Sequence, residues 1–337
     1  MTNDALIVVM DPIVLRPQRI KMTYSSSKVP DRASVQRVAA STLQTKSVSV
    51  ERLEGVLFRT FRLVPAADYF YVLRCQPSCH IRLLRHEQER LHTEAIALRT
   101  LRGRADLQLP RLIDYHTSTT PIGSAYLISG PFKGSILVDI EPSLSTQALA
   151  SIDRSLGQYV RHLHRATHTS FGPVREATLP GHSSWSRCFA SMLETVLRDG
   201  EDALISLPYD YIRDLVRRRR SCLDQITQPR LTLLEMVSDQ NIIVDTNTMT
   251  VAGLLDWSTT MWGDPYMSDC FCRPSVSFAE GFGKLPNRTP DERIRQYLYI
   301  LYHSVLAIVR HCCRPSEDGD ELNARRTMTA ALGQLSK

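Results

Sequence analysis

The stretch NIIVDTNTMTVAGLLDWSTTMWGDPYMSD, residues 241–269, decides the fold. Asn241 to Asp245 and Thr250 to Asp256 are two short β-type runs, and the polar residues Thr246 to Thr248 between them read as a turn. The spacing predicts a hairpin, with Asn241 opening its first strand and Asp256 closing its second. A side-chain amide oxygen and a carboxylate at facing ends of a hairpin are hard donors. Mg2+ accepts such a pair when phosphate and water complete its octahedron. The same residues also suit local work, Asn241 as a turn former at the strand start and Asp256 as a cap on the segment after the second strand.

Upstream, short alternating runs begin at Ser47. Val48 with Val50, Leu57 to Leu63, and Phe70 to Cys75 predict strands, with Gly55 near the first turn. Glu87 to Leu101 predicts a helix, and Pro110 to Tyr115 and Ala125 to Ile128 two more strands. The character changes after Gly130-Pro131. Leu149, Ile152, Leu156, Val160 and Leu163 line one face of a helix over 146–164, and further helices are expected at 186–198 and 209–226. Residues 23–35 read as a loop. The pattern is an α+β chain: an N-terminal extension (1–46), a β-rich lobe (47–130), and a helical lobe interrupted by the hairpin (131–337).

The 337 residues suffice for two cores of ordinary size. Lys and Arg number 41 against 35 Asp and Glu, a surplus that mildly favours anionic ligands and is too small to indicate nucleic acid. The run Arg217 to Arg220 fans around a helix rather than forming one stripe, so a solvated surface is expected. Ala5 to Met10 is too short and wrongly flanked for a signal peptide, and the apolar stretch 297–309 is too short to span a bilayer. A cytoplasmic protein without membrane contact is the expectation, and its eight cysteines then read as thiols. The oligomeric state is not legible.

The hairpin stretch resembles the active-site hairpin of aminoglycoside phosphotransferases and choline kinase-like proteins, which have a two-lobed, protein-kinase-like fold. Those proteins read Asn, three apolar residues and Asp, then a turn, an apolar strand ending Asp-Trp or Asp-Phe, then Gly-Asp-Pro and a further Asp. The segments YFYVLRCQ, HTEAIALRTL, LPRLIDYH, SAYLISGPFKGSIL and LGQYVRHLHRATHTSFG follow the family's order, so the resemblance runs from about Ser47 onward. It implies ATP and Mg2+ as cofactors, a small-molecule acceptor, and Asn241 and Asp256 as metal ligands. It also places Arg74 where kinases carry a phosphate-gripping Lys, with Glu94 as its helical partner; fungal relatives also use Arg there. Gly55 falls in the phosphate loop, and Ser129 and Gly130 at the hinge that meets an adenine edge. An interdomain linker explains these last two equally well. Asp264, Asp269 and His164 match family positions read as structural.

One departure concerns chemistry. The family pattern His-Gly-Asp-(x)4-Asn puts a catalytic Asp five residues before Asn. Counting back from Asn241 gives Met236, whose thioether cannot take a proton from a hydroxyl. Glu235 becomes a substitute base only if the loop bulges by one residue, and Asp239 lies too near Asn241 for that role. Three classes stay open: a slow or altered small-molecule O-phosphotransferase, of the kind found in specialised fungal-type metabolism; a pseudokinase that binds without transfer; and an enzyme that reuses the cleft for other chemistry.

Overall fold

The computed structural model describes residues 31–337 apart from 54–56, 67, 79, 105–108, 118–121, 175–180, 237, 284, 286–288 and 315–320. The first helix, α1 (Arg32–Thr42), opens where a loop was expected. Asp31 caps it by accepting the Ala33 N–H, and Val35 and Ala39 sink against Val50, Phe61 and Leu63 of the adjoining sheet. That sheet comprises β1 (Ser49–Leu53), β2 (Arg59–Ala66), β3 (Tyr69–Cys75), β4 (Arg111–His116) and β5 (Tyr126–Phe132), in the order β1-β2-β3-β5-β4, antiparallel throughout.

Helix α2 (Arg90–Thr100) is inserted between β3 and β4 and has little exposed face, Arg99 and Thr100 alone being exposed. Leu91 and Ala95 pack on Leu127 of the sheet, whereas Ile96, Ala97 and Leu98 join the core of the helical lobe. A helix clamped between two bodies buries most of its circumference, so charged residues on it need partners of opposite charge. Glu94 on this helix is a fully buried carboxylate.

Beyond the sheet come β6 (Ser135–Ile136), α3 (Leu137–Ile140) and α4 (Thr146–Leu163). Next are β7 (Gly172–Pro173), α5 (Trp185–Asp202), α6 (Tyr209–Arg218) and α7 (Arg220–Asp224). The strands β8 (Arg230–Leu233), β9 (Ile242–Asp245), β10 (Thr250–Leu254) and β11 (Thr260–Gly263) precede the last three helices, α8 (Val276–Phe282), α9 (Pro290–Cys313) and α10 (Glu321–Leu335). The hairpin strands join β6 in a sheet ordered β10-β9-β6, and β11 lies between β7 and β8 in another. Helices α4 and α8 touch backbone to backbone: a Cβ on Gly157 would meet the Phe278 carbonyl at 2.2 Å, and one on Gly281 the Arg154 carbonyl at 1.9 Å.

The single helix expected over 209–226 is two, broken at Arg219. Strands β8 and β11 escaped the sequence reading because four residues each are too few to carry a distinguishing pattern. Among the described residues no helix is long and apolar enough to cross a membrane, and the cysteines are free.

Candidate functional site

The hairpin brings Asn241 and Asp256 together. Leu255 N–H donates to the Asn241 carbonyl at 2.9 Å, and Asp256 N–H to the Asn241 side-chain Oδ1 at 2.6 Å. Asn241 is thus a staple that fixes where Asp256 leaves the strand, and its Oδ1 keeps a second lone pair. Asp256 Oδ1 accepts the Ser258 N–H at 2.7 Å and lies 3.0 Å from Arg74 Nη1. Its Oδ2 carries neither contact, and the side chain is 36 % exposed.

Arg74 reaches this point from the end of β3. Its Nη1 also meets Glu94 Oε2 at 2.7 Å, and its Nη2 donates to the Leu255 carbonyl at 2.7 Å. One buried guanidinium therefore ties β3, α2 and the hairpin together. Three of its five N–H donors are engaged this way, which leaves two for another ligand. Burial opposes the charge on Arg74, but Asp256 and Glu94 outweigh it and raise the pKa. Burial likewise works against the Asp256 carboxylate, yet the positive charges of Arg74 and Arg90 hold it below the ordinary value. Glu94 is pushed by burial up to about 7 despite Arg74 at its side.

The loop before the hairpin behaves differently from the position count. Met236 is fully buried, in the apolar cluster of Leu231, Leu233, Trp257 and Phe271, so its side chain does not face the cleft. Its N–H donates to Asp269 Oδ1 at 2.8 Å, and Asp269 N–H returns a bond to the Leu234 carbonyl at 3.0 Å. Asp269 pins the loop, as the sequence reading expected. Ser238 and Asp239 come next in tight turns: Ser238 N–H donates to the Met236 carbonyl, and Asn241 N–H to that of Ser238.

Glu235 does not stand free as a base. Arg90 Nη2 donates to both its oxygens, at 2.7 and 2.8 Å, and Arg310 donates to Oε1. Burial would raise its pKa, but Arg310 and Arg90 overcome this and hold it well below the ordinary value. A carboxylate so stabilised in its charged form is a poor proton acceptor. Glu235 thus sits in an ionic clamp between Arg90 and Arg310. The clamp extends further: Arg310 also reaches Glu87, which Arg314 grips with both terminal nitrogens at 2.6 and 2.7 Å. Arg90 shares a face of α2 with Glu94, a local i,i+4 signal. Arg310, 75 residues beyond Glu235, offered none.

The remaining expected residues are more dispersed. Gly55 lies outside the described residues. Ser129 and Gly130 sit inside β5, Ser129 opposite Val72 and Leu112 and Gly130 opposite Arg111, so the crossing between lobes begins beyond them. Gly130 has φ +143°, and a Cβ there would meet Tyr71 at 2.5 Å. Asp264 is buried and structural: it accepts the Tyr266 N–H at 3.0 Å and the Tyr299 hydroxyl at 2.6 Å.

Among the described residues no three His, Cys, Asp or Glu side chains converge on a metal position. The donor set at the hairpin is one ionised carboxylate with an open oxygen and one amide oxygen with a spare lone pair. That set fits Mg2+ bound chiefly through phosphate and water, and does not fit an all-protein cage.

The profile of the phosphotransferase enzyme family, APH, matches residues 49–267. A search of curated proteins finds no significant match. Among solved structures, a protein described as a fructosamine-3-kinase from Thermobifida fusca is 12% identical with a TM-score of 0.60, over 89% of this chain and 98% of its own. A thermostable mutant of the aminoglycoside phosphotransferase APH(4)-Ia, with ADP and hygromycin B, is 18% identical with a TM-score of 0.58, over 90% and 97%. The complex of APH(2")-IIa with streptomycin and ATP is 15% identical with a TM-score of 0.52, over 91% and 97%. At such identities the structures establish the kinase-like α+β fold alone, while the profile spans well over half of the sequence. The chain belongs to the phosphotransferase enzyme family.

Proposed function

We propose that the cleft binds Mg2+–ATP and that transfer to a small-molecule hydroxyl proceeds without a side-chain base, hence slowly. The observation that carries this reading is the division of labour on Asp256. Oδ1 is anchored by Arg74 and Ser258, whereas Oδ2 carries neither contact on a side chain that is 36 % exposed. Bound there, Mg2+ would neutralise charge developing on the transferred phosphoryl group. Asn241 orients Asp256, and the two remaining Arg74 donors would grip a phosphate oxygen. In this reading residues 47–130 hold the nucleotide and 131–337 the acceptor. Ser129 and Gly130 then brace the strand leading to the adenine edge, and the phosphate loop includes Gly55.

Binding without transfer is the second reading, and the loop favours it. Met236 is buried, and Glu235 is clamped by two guanidiniums. A positioned base contributes about 10²–10⁴-fold in rate, so a cleft without one turns over poorly even when it binds well. ADP release from Mg2+–ATP separates the readings. Slow turnover, stimulated by an acceptor alcohol and insensitive to Glu235→Gln, supports the first. Brisk turnover that Glu235→Gln abolishes would show that the clamp opens and that Glu235 is a base after all. The acceptor, and with it a place in specialised metabolism, is open to untargeted metabolomics of cells lacking the protein.

A further inference from the structure

A cavity of about 540 Å³ lies in the helical lobe, between the end of α4, the α7–β8 connection and the first turns of α9. None of Arg74, Asn241 or Asp256 lines it. Its walls carry Arg161, Arg165, Arg230 and Arg295 against two carboxylates, Asp264 and Glu292, leaving two positive charges uncompensated. Asp264 is already committed to Tyr299, and Arg295 lies 3.7 Å from it. Among the described residues neither Arg161 nor Arg165 pairs with a carboxylate, and both are exposed at the rim.

One further wall group lacks partners. His164 is 94 % buried, being 6 % exposed, and neither Nδ1 nor Nε2 has a hydrogen-bond partner. Arg295 is equally buried but committed: its Nη1 donates to the Cys222 carbonyl at 3.0 Å and to Gln225 Oε1 at 2.9 Å, and its Nε lies 3.7 Å from Asp264 Oδ2. Most buried polar atoms in folded proteins are satisfied, so unpartnered ones on one cavity wall call for an explanation. Arg230 donates to the His164 carbonyl at 2.8 Å, which fixes the backbone of the imidazole beside the cavity. Burial first, and then Arg230, keeps that imidazole neutral, so it has one N–H to donate.

We infer that this cavity is a second, anion-binding site for a phosphate monoester, distinct from the nucleotide cleft. The exposed guanidiniums of Arg161 and Arg165 at the rim are fork-shaped donors suited to phosphate, the buried neutral imidazole lies beside them, and two uncompensated charges suit a dianion. The volume exceeds what a bare phosphate fills, which favours a phosphorylated small molecule over the free ion.

Imidazole NMR of the full chain tests this, with the His164 signals identified by their loss in His164→Phe. Inorganic phosphate and glycerol 3-phosphate are titrated separately at constant ionic strength. Both should move the His164 signals saturably, and the double variant Arg161→Glu/Arg165→Glu should weaken the response at least about tenfold while remaining folded. Tighter saturation by glycerol 3-phosphate supports the monoester; equal saturation would overturn that part and leave a free-phosphate site. Signals that stay fixed at millimolar ligand, or that move equally in the double variant, would overturn the site itself.

Discussion

Arg74 Nη1 stands 3.0 Å from Asp256 Oδ1 while holding Glu94 Oε2 at 2.7 Å, so one guanidinium bridges two carboxylates from two different elements. The Glu94 side chain is fully buried. Arg74→Met leaves it without its partner, and breaking a buried pair from one side costs about 3–5 kcal/mol. Chemical denaturation should show a loss of that size, and Arg74→Lys a smaller one. If Arg74→Met is as stable as wild type, the bridge is not structural.

Met236 is a test of the loop. Because its side chain is fully buried among Leu231, Leu233 and Trp257, Met236→Asp puts a charge into an apolar core. It should destabilise by roughly 4 kcal/mol or more and fail to raise ATP turnover. Met236→Leu, a volume-conserving change, should cost less than about 1.5 kcal/mol. Increased turnover by a folded Met236→Asp variant would mean that the loop turns this side chain outward.

The clamp predicts the behaviour of Glu235. Glu235→Gln leaves Arg90 and Arg310 facing a neutral amide, a loss of about 3 kcal/mol for a buried ionic partner, discounted because the side chain is 24 % exposed. Below the variant's melting temperature, the pH dependence of ADP release should match wild type. A lost acid limb in the profile would mark Glu235 as the base.

The order of lobes, the hairpin and the Arg74–Glu94 pair were legible because each rests on local pattern or on spacing along one element. The environment of residues 234–240 was not. A count from Asn241 places Met236 at the base position, but side-chain direction is set by the packing of Trp257 and Phe271 and by Asp269 on the Met236 N–H, contacts from 21 or more residues away. The ionic clamp was hidden for the same reason, because Arg310 comes from α9. The position of Ser129 within β5 depends on a pairing register that strand propensity does not supply.

His164 gives a pH signature. Burial and then Arg230 lower its pKa from 6.5 to about 3. The folded protein keeps it neutral, whereas the unfolded chain takes up a proton below about 6.5. Stability is therefore present above 6.5 and lost as pH falls toward 3, at up to about 1.4 kcal/mol per pH unit for this one proton. Urea unfolding in phosphate-free buffer should show a shallower slope between pH 6 and 4 for His164→Gln, on the order of one proton less. Equal slopes would mean that His164 is protonated in the folded state.

The central claim is that Asp256, steadied by Arg74 and Asn241, completes a site for a magnesium nucleotide. Calorimetric titration of ATP into the full chain, with Mg2+ and with EDTA, tests it most directly. Wild type should bind ATP in the presence of Mg2+ and at least about tenfold more weakly without it. Asp256→Asn should bind as weakly with Mg2+ as wild type does with EDTA. Metal-independent binding of equal strength, or no binding at millimolar ATP, would contradict the claim and point to a cleft put to other chemistry.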